Sequence, residues 1–463
     1  MTIYLPQLGQ TAGPRYRALA QTIVRDIESG RLAGGVRLPP QRDLAAALGV
    51  TVGTISRAYA LVERQGLVSA EVGRGTFVRR ANAPSTQRAA ASLVPQEGMI
   101  DLTINRPPDR EGYQDALAGT LAEIAARPAD DLLDYVPRTG LERHRQAAAA
   151  WLRRAGIEVP ADRVVLTGGS HQAIVVALSA LIRPDEPLLV EALTYAGLRG
   201  MTAALGLQSE AVPLDDLGIR PDALDAAARR TGGRVMFVTP TLHNPTTATQ
   251  SEERRRAIVE VARRHDLVIV EDDVYGLLKD PRPPALAALA PDRTVYVTSA
   301  SKTLAPGLRL GILAAPERLL RPLADTKYDL MLTGPPLPAE IFRLWLERGI
   351  ADRLLARQRR EAAARQALAA DILSGLPITS DPEAFHLWLP LRPPWRAGDA
   401  LDALSRAGVV AAPGQAFATG RSHAPHALRL SLSAPDSRDR LARALRIVMD
   451  VLDQVPEPSR GLI

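Results

Sequence analysis

The chain has 463 residues, 46% hydrophobic and 23% charged, with a formal net charge of +6 and no cysteine. That length exceeds what one hydrophobic core serves, so two or three folded units are expected. Without cysteine there is no disulfide framework, thiolate nucleophile or zinc–thiolate site. No apolar run has the length of a membrane span and the first ten residues lack a signal-peptide pattern, so a cytoplasmic protein with no membrane partner is expected. The charge is localised: residues 1–80 hold eleven arginines, no lysine and five acids, and the rest balances at 46 basic against 46 acidic residues. A surplus confined to one small segment suits a polyanion, though a solvated surface can also carry it.

In chain order, Arg15 to Ser29 carries Leu19, Ile23, Val24 and Ile27 at helical spacing and stops at Gly30. After Leu38-Pro39-Pro40, the stretch from Gln41 reads as a second helix closed by Gly49, and Val52 to Gln65 as a third with Ile55, Tyr59 and Val62 inward. Two helices joined by a short glycine-containing turn form a helix-turn-helix, which presents the N-terminal end of the second to a DNA major groove. Leu67 to Ala70 and Thr76 to Val78 flank Glu71-Val72-Gly73-Arg74-Gly75, a hairpin with an arginine between glycines at its tip.

The phrase from Leu38-Pro39-Pro40-Gln41-Arg42 through Gly49-Val50-Thr51 and Arg57-Ala58-Tyr59 to Gly73-Arg74-Gly75-Thr76 resembles the winged helix-turn-helix of the GntR regulators. The resemblance implies a double-stranded DNA operator as partner. Its contacts would come from Arg42, from Thr51, Val52, Gly53, Thr54 and Arg57 around the recognition helix, and from Arg74 and Gly75 in the wing. Arg42 and Arg74 suit base edges or a minor groove, and Thr51, Thr54 and Arg57 suit phosphates. From Arg79 to Gly98 the composition shifts to Ala, Ser, Pro, Gln and Arg without an apolar period, which reads as a linker. The expected organisation is a DNA-binding domain at 1–80, a linker at 81–98 and a second domain at 99–463. Within the last, a large part spans about 140–345 and a small α+β part about 346–455.

Past Met99, short apolar runs such as Val164-Val165-Leu166, Leu188-Leu189-Val190, Val235 to Val238 and Leu267 to Val270 alternate with helical stretches. That pattern argues for an α/β fold, a mostly parallel sheet with helices on both faces, and ligands then sit beyond the strand C-termini. The chemistry-bearing residues fall at those ends. Thr167-Gly168-Gly169-Ser170-His171 is a glycine turn feeding a helix, suited to a phosphate and equally to a plain turn. Tyr195 is placed to cover an aromatic ring or to fill a core. Asn244, before Pro245, suits a ring hydroxyl or an Asx turn. Asp272, in Glu271-Asp272-Asp273-Val274-Tyr275, suits a protonated ring nitrogen, and no histidine nearby completes a metal cluster. Ser299-Ala300-Ser301-Lys302 places a lysine, with Arg309 after it, as an imine-forming lysine beside a phosphate-binding arginine would be placed.

In that order, the motifs resemble the fold-type I pyridoxal-phosphate-dependent aminotransferases along nearly all of 99–455. The resemblance implies a seven-stranded sheet and pyridoxal 5′-phosphate as cofactor, with Lys302 forming the internal aldimine and Asp272 on the pyridinium nitrogen. It gives Asn244 and Tyr275 to the phenolic oxygen, Tyr195 to the ring face, and Ser170, His171, Ser299 and Arg309 to the phosphate. Tyr135 would reach the phosphate from a partner subunit, and Arg429 would grip an amino acid's carboxylate. Three positions depart from the pattern: Asn105 stands where a glycine is common close to the substrate, Thr247 replaces the usual glycine after Asn-Pro-Thr, and His171 stands where glutamine is frequent. Arg143, Arg145, Arg153, Arg154 and the Arg353 to Arg365 stretch read as solvated helix faces. The chain end to end resembles the MocR subfamily of GntR-type regulators, which implies a dimeric transcription factor sensing an amino acid or amine by external aldimine formation at Lys302. The alternative is an active aminotransferase with a DNA-binding tail, and bulk at Asn105 and Thr247 points to slow turnover.

Overall fold

The structure, a computed structural model, describes residues 6, 15–28, 31–32, 36–64, 67–71, 75–78, 98–183, 185–420 and 424–454. The chain divides into two compact units, 1–91 and 92–463. Apart from Gly98, the expected linker 81–98 lies outside the described residues.

In the first unit, helices Arg15–Glu28, Gln41–Leu48 and Val52–Arg64 are followed by an antiparallel hairpin of β1 (Val68–Glu71) and β2 (Gly75–Val78). Leu19 and Ile23, Leu44, and Ile55, Tyr59 and Val62 recur at three- and four-residue spacing, so each helix turns one stripe inward. They close on Val68 and Val78 of the hairpin in one core. Gly49 ends the second helix at φ 60°, a backbone that glycine adopts without cost. The Tyr59 hydroxyl donates to the Pro39 carbonyl at 2.9 Å, tying the third helix to the turn before the second.

The second unit is built on seven strands, the order being β4 (Val164–Thr167), β12 (Gly311–Ala314), β11 (Thr294–Ser299), β10 (Val268–Asp272), β9 (Val235–Val238), β5 (Leu188–Glu191) and β6 (Ser209–Val212). All pairings are parallel except the two that β12 makes. Alternate strand residues enter different cores. Val165, Val190, Phe237 and Val270 pack with the helix Ser170–Leu181. Leu189, Met236 and Ile269 pack with the helices Pro221–Thr231 and Glu252–Arg264. Both faces are therefore covered, which is why these strands read as continuous apolar runs. A short hairpin, β7 (Leu214–Asp215) with β8 (Gly218–Ile219), follows β6.

The smaller sheet has the order β13 (His386–Pro390), β16 (Ala427–Ser431), β15 (Ala412–Pro413), all antiparallel. Beside it β14 (Val409–Val410) pairs in parallel with β3 (Ile100–Asp101). Ile100 and Leu102 share the core of Leu387, Leu428, Leu430, Leu441 and Leu445. The segment after β3 thus returns from the small sheet toward the large one, a placement that chain order alone does not reveal.

One expectation fails here. Arg365 is not a solvated arginine: it is 2% exposed, and its Nη1 donates to the carbonyls of Leu432 and Pro435 while Nε meets Glu361. A helix lodged between other elements buries more than its apolar stripe, and a guanidinium that finds carbonyl acceptors tolerates it. Others of that group are paired across elements rather than merely wet: Arg154 with Asp352, Arg357 with Asp109, and Arg143 with Asp131 and Glu340.

Candidate cofactor and DNA sites

In the DNA-binding unit the expected contact residues lie in the second helix (Arg42), at the start of the third (Thr51 to Arg57) and, at Gly75, on the first residue of β2. Arg42, Thr51, Val52, Gly53 and Arg57 are exposed, and Thr54 is half-buried. Thr51 caps the helix, its Oγ1 accepting from the Thr54 N–H at 3.3 Å and lying 3.0 Å from the Thr54 Oγ1. The helix N-terminus, with its free amides, stays open to a phosphate. Val52, 44% exposed, is an apolar side chain held in water at that end, as contact with a thymine methyl requires. Arg74 lies outside the described residues. Arg37, which sequence reasoning counted only as charge, lies over the wing: a Cβ at Gly75 would come within 2.6 Å of its Nε.

Several of the residues expected to hold the cofactor, Ser170, Asp272 and Lys302 among them, stand at or just beyond ends of strands in the larger sheet. In β10 the strand's alternation sorts three consecutive acids. Glu271 accepts from the amides of Leu286 and Ala287 at 3.0 and 2.8 Å, and Asp273 accepts from Tyr296 Oη at 2.6 Å and Arg282 at 2.8 Å. Asp272, between them, points the other way, 4% exposed, with Oδ1 lacking any hydrogen-bond partner. Burial, reinforced by Asp273 and opposed by Lys302, pushes its carboxyl up to about 7. The Asn244 Oδ1 is likewise buried and unpartnered.

Lys302 sits in the single turn Ala300–Thr303 directly after β11, capped by the Ser299 hydroxyl. Its Nζ donates to the Asn105 carbonyl at 2.6 Å and lies 5.9 Å from the centre of the Tyr275 ring. Burial and Arg429, against Asp272, bring the ammonium down to about 8. Tyr275 is buried, its hydroxyl accepts from Asn105 Nδ2 at 2.9 Å, and burial holds its phenol up at about 12.

The glycine turn before Ser170 is shaped around Arg309. Arg309, at φ 46°, donates from Nη2 to the Gly168 carbonyl at 3.0 Å, and a Cβ on Gly169 would stand 2.8 Å from that nitrogen. Ser170 opens the helix there, and His171 beside it is exposed, its imidazole pulled down by desolvation and Arg309. Tyr195, half-buried, folds its ring back over its own helix, and a Cβ on Gly197 would collide with it. Burial and the charge of Asp272 raise its phenol. Arg429 in β16 is 5% exposed and lies 5.3 Å over the Phe417 ring. Tyr135, 80% exposed on its loop, is not among the residues assembled within this chain.

Two of the residues now at the site gave little or no signal. His386, whose Nδ1 lies 2.9 Å from the Asn105 Nδ2, is a single histidine in an apolar strand, and Gly197 is one of several helix glycines. Thr247, flagged as a departure, is buried with φ 64°, the backbone of the glycine it replaces, and its N–H donates to the His243 carbonyl at 2.7 Å.

Pyridoxal phosphate fits this donor set. The unpaired Asp272 oxygen answers a protonated ring nitrogen, Asn244 and Tyr275 answer a ring oxygen, and the Ser170 helix end with Arg309 answers a phosphate dianion. Among the described residues no group of histidines and carboxylates suits a metal ion, and no single helix is long and apolar enough to cross a membrane.

Comparison with known proteins agrees. The chain matches the family Aminotransferase class I and II over residues 97–448 and the bacterial regulatory proteins of the gntR family over 15–78. It is 29% identical over 453 residues to the HTH-type transcriptional regulator YdeF of Bacillus subtilis, covering 97% of each chain. To the HTH-type transcriptional regulator TauR of Rhodobacter capsulatus it is 28% identical, covering 94% of this chain and 97% of the other. Among solved structures it is similar to LysN, the α-aminoadipate aminotransferase of Thermus thermophilus, with TM-score 0.72 and 26% identity over 80% of this chain and 95% of that one. The chain therefore belongs to the class I and II aminotransferase family and, with a gntR-family domain ahead of that fold, is a pyridoxal-phosphate-dependent transcriptional regulator of the MocR subfamily.

Proposed function

We propose that the regulator binds its operator as a homodimer in the cytoplasm and that an amino acid or amine, captured at Lys302, changes how it binds. The organisation follows the sequence, with a DNA reader at 1–80, a linker at 81–98 and an effector and dimerisation domain at 99–463. The observation that carries the reading is the buried Asp272 carboxyl, its Oδ1 without a hydrogen-bond partner, within electrostatic reach of a lysine whose ammonium is lowered to about 8. Neither is a stable arrangement for the fold alone, and both are what amine exchange on the cofactor requires. The bound cofactor supplies an aldehyde carbon that condenses with primary amines and a ring that withdraws electrons.

The chain's own residues do the rest. Asp272 keeps a proton on the ring nitrogen, Asn244 and Tyr275 hold the ring oxygen, and Tyr195 covers the ring. Ser170, His171, Ser299 and Arg309 hold the phosphate, with Tyr135 reaching it from the partner subunit. Arg429 takes the effector's carboxylate. Roughly a tenth of Lys302 is neutral at pH 7 given that lowering, enough to act as the leaving and returning amine. Leu117, Leu121, Leu133 and Leu337, exposed on neighbouring helices of the same unit as Tyr135, supply an apolar face for dimerisation. Coupling to DNA requires only that the effector bind two arrangements of the dimer unequally.

An aminotransferase reading is favoured by the same intact Lys302. One experiment separates the two: visible absorption of the holoprotein is followed while amino acids and amines are added singly, with keto-acid formation in the same cuvette and operator binding by gel shift. A stable spectral shift with altered DNA binding and no keto acid supports the sensor. Turnover to keto acid with DNA binding unchanged makes the chain an enzyme.

A further inference from the structure

Asn105 is 5% exposed and lies where the ligand end and the cofactor end of the site meet. Its hydrogen bonds can be assigned a direction. His386 Nε2 lies 3.1 Å from the His243 carbonyl, which only accepts, so Nε2 carries the proton. Burial, then Arg429, drives the imidazole well below its ordinary value, so it is neutral and Nδ1 is a bare acceptor. The Asn105 Nδ2, 2.9 Å away, must donate to it, and its second hydrogen goes to the Tyr275 hydroxyl. The amide oxygen then faces Arg429, whose Nη1 donates to it at 2.7 Å. Arg429 Nη2 donates to the Thr103 carbonyl, and Nε is buried without an acceptor. A carboxylate grips a guanidinium through two parallel N–H groups, yet here both Nη atoms are engaged by the segment 103–105.

We propose that Asn105 sets the selectivity of this site between amino acids and amines without a carboxylate. It occupies Arg429 in the absence of ligand. A ligand carboxylate takes its place, whereas a decarboxylated amine leaves it. Asn105 is a positioning residue: its backbone carbonyl accepts from Lys302 and its side-chain amide donates to Tyr275, so displacement of that side chain by a carboxylate is felt at Tyr275 and an amine alone produces no such release. This rests on Arg429 being the carboxylate's partner.

The test uses the full chain stripped of cofactor and two probes that differ only in the carboxylate, N-phosphopyridoxyl-L-alanine and N-phosphopyridoxyl-ethylamine, titrated by calorimetry. Asn105→Ala leaves a buried Arg429 donor unmatched until a carboxylate arrives. It is expected to widen the alanine-to-ethylamine affinity ratio about tenfold, and Asn105→Gly to move it the same way. Arg429→Gln is expected to collapse the ratio. If Arg429→Gln leaves the ratio unchanged, the carboxylate reading of the site falls, and the role of Asn105 with it. If Arg429→Gln collapses it while both Asn105 variants match the unaltered chain, only the role of Asn105 is overturned. Should those variants not fold, nitrogen-15 NMR of the unaltered chain decides: His386 Nδ1 is expected to lose its hydrogen-bonded shift with the alanine probe alone, and an equal response to both probes overturns the proposal.

Discussion

The two units put their functional groups in opposite places. In the first, Arg42, Val52 and Arg57 stand in water, and none of the three belongs to the core formed by the described residues of that unit. In the second, Asp272, Asn105 and Arg429 are withdrawn from solvent around the half-buried Lys302, with Asp272 Oδ1 and Arg429 Nε left unsatisfied. A polyanion is met at a surface, where charge needs no preparation. A small aromatic cofactor is met in a cavity, where each polar group must be desolvated beforehand and the fold bears the cost until the ligand arrives.

That contrast is open to direct attack. The largest effect is expected from Lys302→Ala, which should abolish covalent cofactor attachment and the effector response while leaving basal operator binding intact. A variant that still answers effector as the unaltered chain does would place the switch elsewhere.

Next is Asp272→Asn. A carboxyl at about 7 in the fold but about 3.9 in the unfolded chain binds its proton more tightly when folded. Its stabilising contribution is therefore complete below pH 4 and is lost as the pH rises from about 4 to about 7. The asparagine removes that slope, so the cofactor-free variant should be more stable than the unaltered chain by about 4 kcal/mol at pH 7 and little different near pH 4. Thermal midpoints at the two pH values measure it, and cofactor affinity should fall at least tenfold in the same variant. Equal midpoints at pH 7 would mean that Asp272 is not held in a desolvated state.

The smallest effect belongs to the exposed side. Arg57→Ala should weaken operator binding about tenfold, lower the slope of log affinity against log salt by about one, and leave melting within about 0.5 kcal/mol, as a solvated phosphate contact predicts. Loss of stability comparable to loss of binding would show that the DNA-reading face is part of the core after all.

Much of this was legible beforehand because it rests on local rules. Helical spacing at Leu19, Ile23, Ile55, Tyr59 and Val62 predicted the first unit's core, and apolar runs ending in Asp272, Lys302 and the Gly168-Gly169 turn marked the strand ends where a ligand binds. Arg365 was misread because periodicity reports which face is apolar, not what lies against the polar one.

The sequence by itself determined the two units, the mostly parallel sheet and the candidate residues at its strand ends, since each follows from spacing within one element. Tertiary structure alone decided that Asp272, of Glu271-Asp272-Asp273, is the acid whose charge acts on Lys302, that Thr247 adopts a glycine's backbone, and that Asn105 joins Arg429 to Tyr275 and Lys302. The last of these bonds join residues 170 to 324 positions apart, and no local propensity encodes which side chains a fold will bring together at that range.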